Sequence, residues 1–483
     1  MRICMVSSEA VPFSKSGGLA DVVSSLSTAL TAMGNDVRVI LPCYGSIDTR
    51  SFDTSAITLR TPIKGSVESV PILQSLYQGV TFYFLAHPWF THRKGIYGDT
   101  SFTPYADNFY RFTLFAKAVG ELCTALEWKP DIIHCHDWTA GLVPFLIDQD
   151  TSGFLTHTKT VFTIHNLAYQ GDFSKWELLL AAVPVDERML SGSGANLRMN
   201  MLKTGIEFAD TITTVSPTYA QEIQQPALGC GLDSLLCQRS ASLFGILNGI
   251  DLDEWNPQSD ALLDIHFTSD DHTNKRLLKK QAQKAFRLPQ DDSVALIGMV
   301  SRIAQQKGFV ELCEGSPSVL ERILTTLPVQ VLIIGTGDDQ IEQKLLKLAQ
   351  EHGNLSVNTI FSNKAAHLVE AGSDFFFMPS RYEPCGLNQM YSLRYGTVPI
   401  ARRTGGLADS IVDLNDCEEK GTGFLFDELS DSSILNAVQR AVTLYNEHSQ
   451  KLFATRKRGM MVDFSWGHSA GEYMKIYSGM KKG

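Results

Sequence analysis

Short apolar runs bounded by Gly, Pro, Asp and Ser alternate along this chain with longer amphipathic stretches, and the series starts afresh near the middle. A buried strand followed by an amphipathic helix is the repeating unit of a parallel sheet, because parallel neighbours need a crossover that also covers the sheet face. The pattern predicts strands at Ile3–Val6, Val37–Leu41, Thr81–Leu85, Ile132–His134, Thr160–Ile164 and Thr211–Val215. A second set is predicted at Ala295–Val300, Val329–Ile334, Asp374–Met378 and Val398–Ala401. With 483 residues the chain exceeds what one core organises, so two α/β domains are expected. Between the two series, Asn248-Gly-Ile-Asp-Leu-Asp-Glu-Trp-Asn-Pro257 and the polar stretch Ser259 to Lys275 read as the hinge.

Composition then removes whole classes of function. A net charge of -10 is wrong for a nucleic-acid partner, which is met by basic stripes. No run of eighteen apolar residues predicts a membrane span, and Arg2 to Val6 is too short and too quickly followed by polar residues for a signal peptide. The nine cysteines are an odd number without any C-x-x-C pair, which fits free thiols in a reducing compartment. A cytoplasmic protein is expected.

Chemistry is suggested where glycines and charges follow predicted strands. Lys15-Ser16-Gly17-Gly18-Leu19-Ala20-Asp21 returns as Arg403-Thr404-Gly405-Gly406-Leu407-Ala408-Asp409. Each copy reads as a strand, a cation, a hydroxyl, two glycines and a helix start. Turn chemistry alone could converge on this, but five identical consecutive residues favour two similar nucleotide-binding-type halves. A helix starting near Leu19 would aim unpaired N–H groups at an anion beside Lys15, with Asp21 capping or accepting from a hydroxyl. Arg302 and Lys307 follow a strongly apolar strand and could hold a diphosphate as its charge develops; surface solubility is their plainer reading. Glu383 reads as sitting just before a helix whose first position suits Pro384, where it could cap the helix, hold sugar hydroxyls, or both. His134 and His136 point to one face of their strand, with Asp137 at its end. Metal binding is one reading; without a second matching cluster, core packing of His134 and a sugar-facing Asp137 and Trp138 is the better one. His165, closing the next strand, lines the site or packs. Gly335-Thr-Gly337-Asp-Asp-Gln340 fails the dinucleotide pattern at its third glycine.

These motifs, with Thr163-Ile-His-Asn166, Thr214-Val-Ser-Pro-Thr-Tyr219, Asn248-Gly-Ile-Asp251, Trp255-Asn-Pro257 and Glu383-Pro-Cys-Gly-Leu387, resemble in order and over nearly the whole chain the bacterial glycogen synthases and plant starch synthases. The resemblance implies a GT-B fold, two Rossmann-like domains across a deep cleft: residues 1–245 on the acceptor side, 246–465 on the donor side, and 466–483 as a helix crossing back to the first domain. It implies retaining transfer of glucose from ADP-glucose to the 4-hydroxyl end of an α-1,4-glucan such as glycogen, with no metal or cofactor. Catalytic roles would fall on Lys15, Asp137, His165, Arg302, Lys307 and Glu383. Substrate contacts would come from Glu9, Gly17, Gly18, Asp21, Tyr97, Trp138, Asn166, Asn248, Cys385, Gly386, Leu387, Thr404, Gly405 and Gly406. Phe361 stands where the family often has a base-stacking Tyr, so UDP-glucose stays open as donor. Ser16 and Thr139 also depart from the usual residues, without consequence for the chemistry. A related transferase with a small soluble acceptor is the rival reading.

Overall fold

The computed structural model describes residues 1–99, 103–192, 194, 197–271, 273–360 and 362–480. The chain packs as two compact units. One comprises residues 1–215, 220–249 and 466–483, and the other 216–219 and 250–465.

The first unit is built on a nine-stranded sheet. In space its strands run Leu243–Gly245, Thr211–Thr214, Lys159–Ile164, Ile132–His136, Arg2–Val6, Asp36–Pro42, Val80–Leu85, Ser66–Tyr77 and Asp53–Ile63. All pair in parallel except the last two, an antiparallel hairpin added to the edge. The strand order reverses at Arg2–Val6, which pairs with Asp36–Pro42 on one side and Ile132–His136 on the other. A small three-stranded sheet (Asp172–Ser174, Arg198–Asn200, Leu190–Ser191) is also present.

The second unit has six parallel strands in the order Leu355–Asn358, Val329–Ile334, Ala295–Val300, Phe375–Met378, Val398–Arg402 and Phe424–Phe426. In chain order within the unit that is 3-2-1-4-5-6, the doubly wound arrangement of a Rossmann-like fold. Its central strands Ala295–Val300 and Phe375–Met378 are apolar throughout because both faces are covered. Ile297, Met299, Val331, Ile333, Phe375 and Phe377 enter one core; Leu296, Val300, Leu332, Ile334, Phe376 and Met378 enter the other.

One expectation about local structure changes. The polar stretch after Ser259 is not a loose hinge segment: Asp260 is buried and accepts from His367 Nδ1 at 2.7 Å and from the Tyr395 hydroxyl at 2.5 Å. Buried Lys275 donates to the carbonyls of Ala371 and Tyr395 and to Thr397 Oγ1 at 2.6–2.9 Å. These bonds satisfy the ammonium group's three donors and fasten the stretch to the second unit. Among the described residues no helix is long and apolar enough to cross a membrane.

Candidate active site

Ligands of open α/β sheets bind at the carboxyl ends of strands where the strand order reverses. In the first unit that point lies beyond Val6 and His136, and most of its predicted residues gather there. Glu9 is 2 % exposed and surrounded by donors. Its carboxylate accepts from the Ser16 amide, from Ser16 Oγ at 2.7 Å, from the Gly17 amide at 3.2 Å and from the Tyr97 hydroxyl at 2.5 Å. Ser8 Oγ lies 3.0 Å from the same hydroxyl and accepts from Thr139 Oγ1 at 3.1 Å. Glu9 therefore holds the glycine turn from behind. Burial, reinforced by Glu9, keeps the Tyr97 phenol well above its usual pKa, as a neutral donor. The helix Gly18–Ala32 starts one residue before Leu19, with Gly17 as its N-cap. Lys15 and Asp21, which was read as a cap or a hydroxyl acceptor, pair at 2.8 Å.

Asp137 follows the strand Ile132–His136 with φ 57° and ψ -178°, a region that glycine alone adopts freely. A strain of this kind, on the order of 1–3 kcal/mol, persists where surrounding bonds over-determine it. Its Oδ1 accepts the His165 amide at 2.7 Å. Burial, with Glu9 adding to it, pushes the carboxyl up to about 7 against the amide bonds from His165 and Asn166. Asn166 is half-buried, its Oδ1 accepting the Ala168 amide. Trp138 packs edge-on to Phe112 with centroids 5.0 Å apart, and its ring lies 6.0 Å from that of Tyr97. His134 and His136 share one face, ring centroids 4.2 Å apart, both fully buried. Burial lowers His134 and His165 to about 3 and His136 well below its usual value, so all three imidazoles are neutral. Asn248 lies apart from this group, after the strand Leu243–Gly245, with its Oδ1 buried and unpartnered among the described residues.

In the second unit the corresponding reversal lies at Ala295–Val300, flanked by Val329–Ile334 and Phe375–Met378. Beyond these strands Lys307 Nζ meets Glu383 Oε2 at 2.6 Å, and Ser380 Oγ donates to the same oxygen at 2.9 Å. Arg302 is exposed on the loop that carries Lys307. Glu383 does not abut a helix: the next one is Asn388–Arg394, and Pro384 to Leu387 form a turn with Gly386 at φ 70°. The reason is the glycine pair. A Cβ on Gly405 would lie 1.9 Å from the Glu383 carbonyl oxygen, and one on Gly406 would lie 2.0 Å from that of Cys385. The Gly406 amide donates to the Glu383 carbonyl at 3.0 Å, so the turn is bonded to the helix Gly405–Ser410, whose N-cap is buried Thr404. Phe361 lies outside the described residues. Sequence reading missed Ser380, Ser8 and the bracing role of Glu9; a serine three residues before a glutamate, or a glutamate after a strand, carries no mark of its partner.

Residues 2–238 match the family model described as starch synthase catalytic domain, and residues 280–458 match that of glycosyl transferases group 1. A glycogen synthase of Treponema denticola is 39 % identical over 483 residues, 99 % of this chain and 98 % of the relative. That of Myxococcus xanthus is 43 % identical over 488 residues, covering 99 % of each. The chain belongs to the glycogen and starch synthase family. A solved family member, the catalytic domain of starch synthase IV from Arabidopsis thaliana bound to ADP and acarbose, matches with a TM-score of 0.90 and 32 % identity over 100 % of this chain and 99 % of that one. A sucrose-phosphate synthase from Thermosynechococcus elongatus, 16 % identical with a TM-score of 0.61 over 99 % of this chain and 98 % of that one, shares the GT-B fold.

Proposed function

We propose that this chain elongates an α-1,4-glucan, moving glucose with retention from ADP-glucose to the non-reducing 4-hydroxyl end and releasing ADP. The observation that carries the reading is the Lys307–Glu383 pair at 2.6 Å where the donor-type sheet reverses order, with exposed Arg302 on the same loop. An ammonium has three donors, and Glu383 takes one; the others, with the two-pronged guanidinium of Arg302, suit the oxygens of a leaving diphosphate. Stabilising that charge as it forms is what speeds the bond's breaking. Glu383 Oε1 has no partner among the described residues and faces the task of accepting a glucose hydroxyl, while the Cys385 to Leu387 amides donate. Thr404, Gly405 and Gly406, near the phosphates in this reading, serve by holding the Glu383 turn in place.

Residues 246–465 take the donor role in this reading, and residues 1–245 with the helix near 466–483 the acceptor role. Lys15 with the Gly17–Gly18 turn, Asp137, His165, Tyr97, Trp138, Asn166 and Asn248 serve the sugars, with Glu9 and Asp21 holding the turn and its lysine. The protein works in the cytoplasm without a metal. The family shared with an ADP-bound starch synthase supports ADP-glucose as donor; UDP-glucose is the competitor to test. Purified protein, glycogen and either nucleotide-sugar, without added metal, should give glucose incorporation, with ADP-glucose the better donor. Incorporation only into small sugars or sugar phosphates would refute the glucan acceptor.

A further inference from the structure

The histidine preceding Asp137 has so far had no task. His136 is fully buried at the end of its strand, with Nδ1 3.0 Å from Nε2 of His165 and Nε2 buried without a partner among the described residues. His134, stacked on it, is occupied elsewhere: the Tyr477 hydroxyl lies 2.8 Å from its Nδ1 and Thr163 Oγ1 2.5 Å from its Nε2. Both His136 and His165 are neutral, so each carries a single N–H.

Two proton arrangements satisfy the 3.0 Å contact. If His165 Nε2 donates, His136 must carry its own proton on Nε2, which leaves a buried N–H without an acceptor. If His136 Nδ1 donates, only a lone pair at Nε2 goes unmatched, and His165 must hold its proton on Nδ1. Orphaned buried N–H groups are the rarer and costlier defect. We infer that His136 is a positioning residue that fixes His165 as the Nδ1–H tautomer, so that His165 meets a sugar hydroxyl oxygen as a hydrogen-bond donor and not as a proton-accepting base. Nδ1 of the half-buried His165 makes no bond among the described residues, which leaves it for that oxygen. The sugar in this statement rests on the transferase reading above; the tautomer does not.

The tautomer can be read in the resting full-length protein labelled with ¹⁵N-histidine, from long-range ¹H–¹⁵N correlations, the His165 signals being assigned by their loss in His165→Gln. Protonated Nδ1 and bare Nε2 are expected; a proton on Nε2 overturns the inference. In activity, His136→Leu removes the donor, whereas His136→Asn places an amide N–H near the Nδ1 position. The leucine variant should lose roughly 10–100-fold in kcat at nearly constant KM, as when a partner that fixes a ligating histidine is removed. The asparagine variant should regain most of that loss. Equal impairment of both, with the His165 signals unchanged, would show a merely structural role and overturn the inference. A resting protein with the Nδ1–H tautomer and no glucosyl transfer would instead sink the transferase reading alone.

Discussion

Gly-Gly-Leu-Ala-Asp occurs twice at a helix start, at residues 17–21 and 405–409, and the two copies use their missing side chains in opposite ways. Gly17 has ordinary extended backbone, φ -158°, and a Cβ there would meet nothing within 4 Å. Gly405 has φ 44°, and its Cβ would collide with a carbonyl of the chain itself. The flanking charges follow suit. Lys15 is half exposed, at 53 %, and pairs with Asp21; Arg403 is drawn to Asp416 and Asp427, each at 2.9 Å. Asp409 accepts both the amide and the hydroxyl of Thr218, at 2.8 and 2.7 Å. One copy leaves space for something that is not protein, while the other lets the chain close around Glu383. A repeated motif therefore preserves the helix start and not the job.

The sharpest way to break this contrast is Gly405→Ala, where a forbidden contact and a left-handed backbone coincide. It should cost about 3 kcal/mol or more, read as a large fall in Tm with loss of activity. Lys15→Ala should leave Tm alone and lower kcat about 10²–10³-fold, the scale of a lost preorganised charge contact; unchanged turnover would remove the open turn from the site. Asp137→Asn tests the same edge through pH. The Asp137 carboxyl sits near 7 in the folded chain and about 3.9 when unfolded, so the folded form binds the extra proton and wild-type stability falls as pH rises from about 4 to about 7. The variant should gain Tm over wild type more at pH 8 than at pH 5, while turning over more slowly; an equal gain at both would mean the carboxyl is not raised. Asp409→Ala should cost about 1–2 kcal/mol by chemical denaturation, since it strands two donors, against less than about 0.5 kcal/mol for Asp21→Ala. Smallest of all, Gly17→Ala should change stability by less than about 0.5 kcal/mol; an effect on donor or glucan KM alone would show that the space above it is used.

The central strands of both sheets were legible because two-sided burial writes itself as short runs dominated by β-branched and apolar residues, and the motif residues were legible because they follow those strands. The edge hairpin Asp53–Ile63 and Ser66–Tyr77 was not, since its outward faces are polar and alternate with few apolar positions. Leu355–Asn358, Leu243–Gly245 and Phe424–Phe426 were missed too; they are short edge strands of three or four residues, below what periodicity can mark. The turn after Glu383 was misread as a helix start because Pro384 has the right local chemistry, whereas contact with Gly405 and Gly406, some twenty residues away, decides the backbone. The motif likewise showed the glycine turn and Lys15, but not that the turn leans on Glu9, seven residues earlier in the same connection, whose carboxylate is itself held by Tyr97 from a distant segment.

The helix Trp466–Met480 packs in the first unit, where buried Tyr477 bonds His134 and Tyr473 lies against the same imidazole. During synthesis the ribosome therefore releases every residue of the second unit before this helix of the first emerges. Until then the nascent first unit waits with the His134 pocket uncovered, so sealing it is a late step of biogenesis, not an early one.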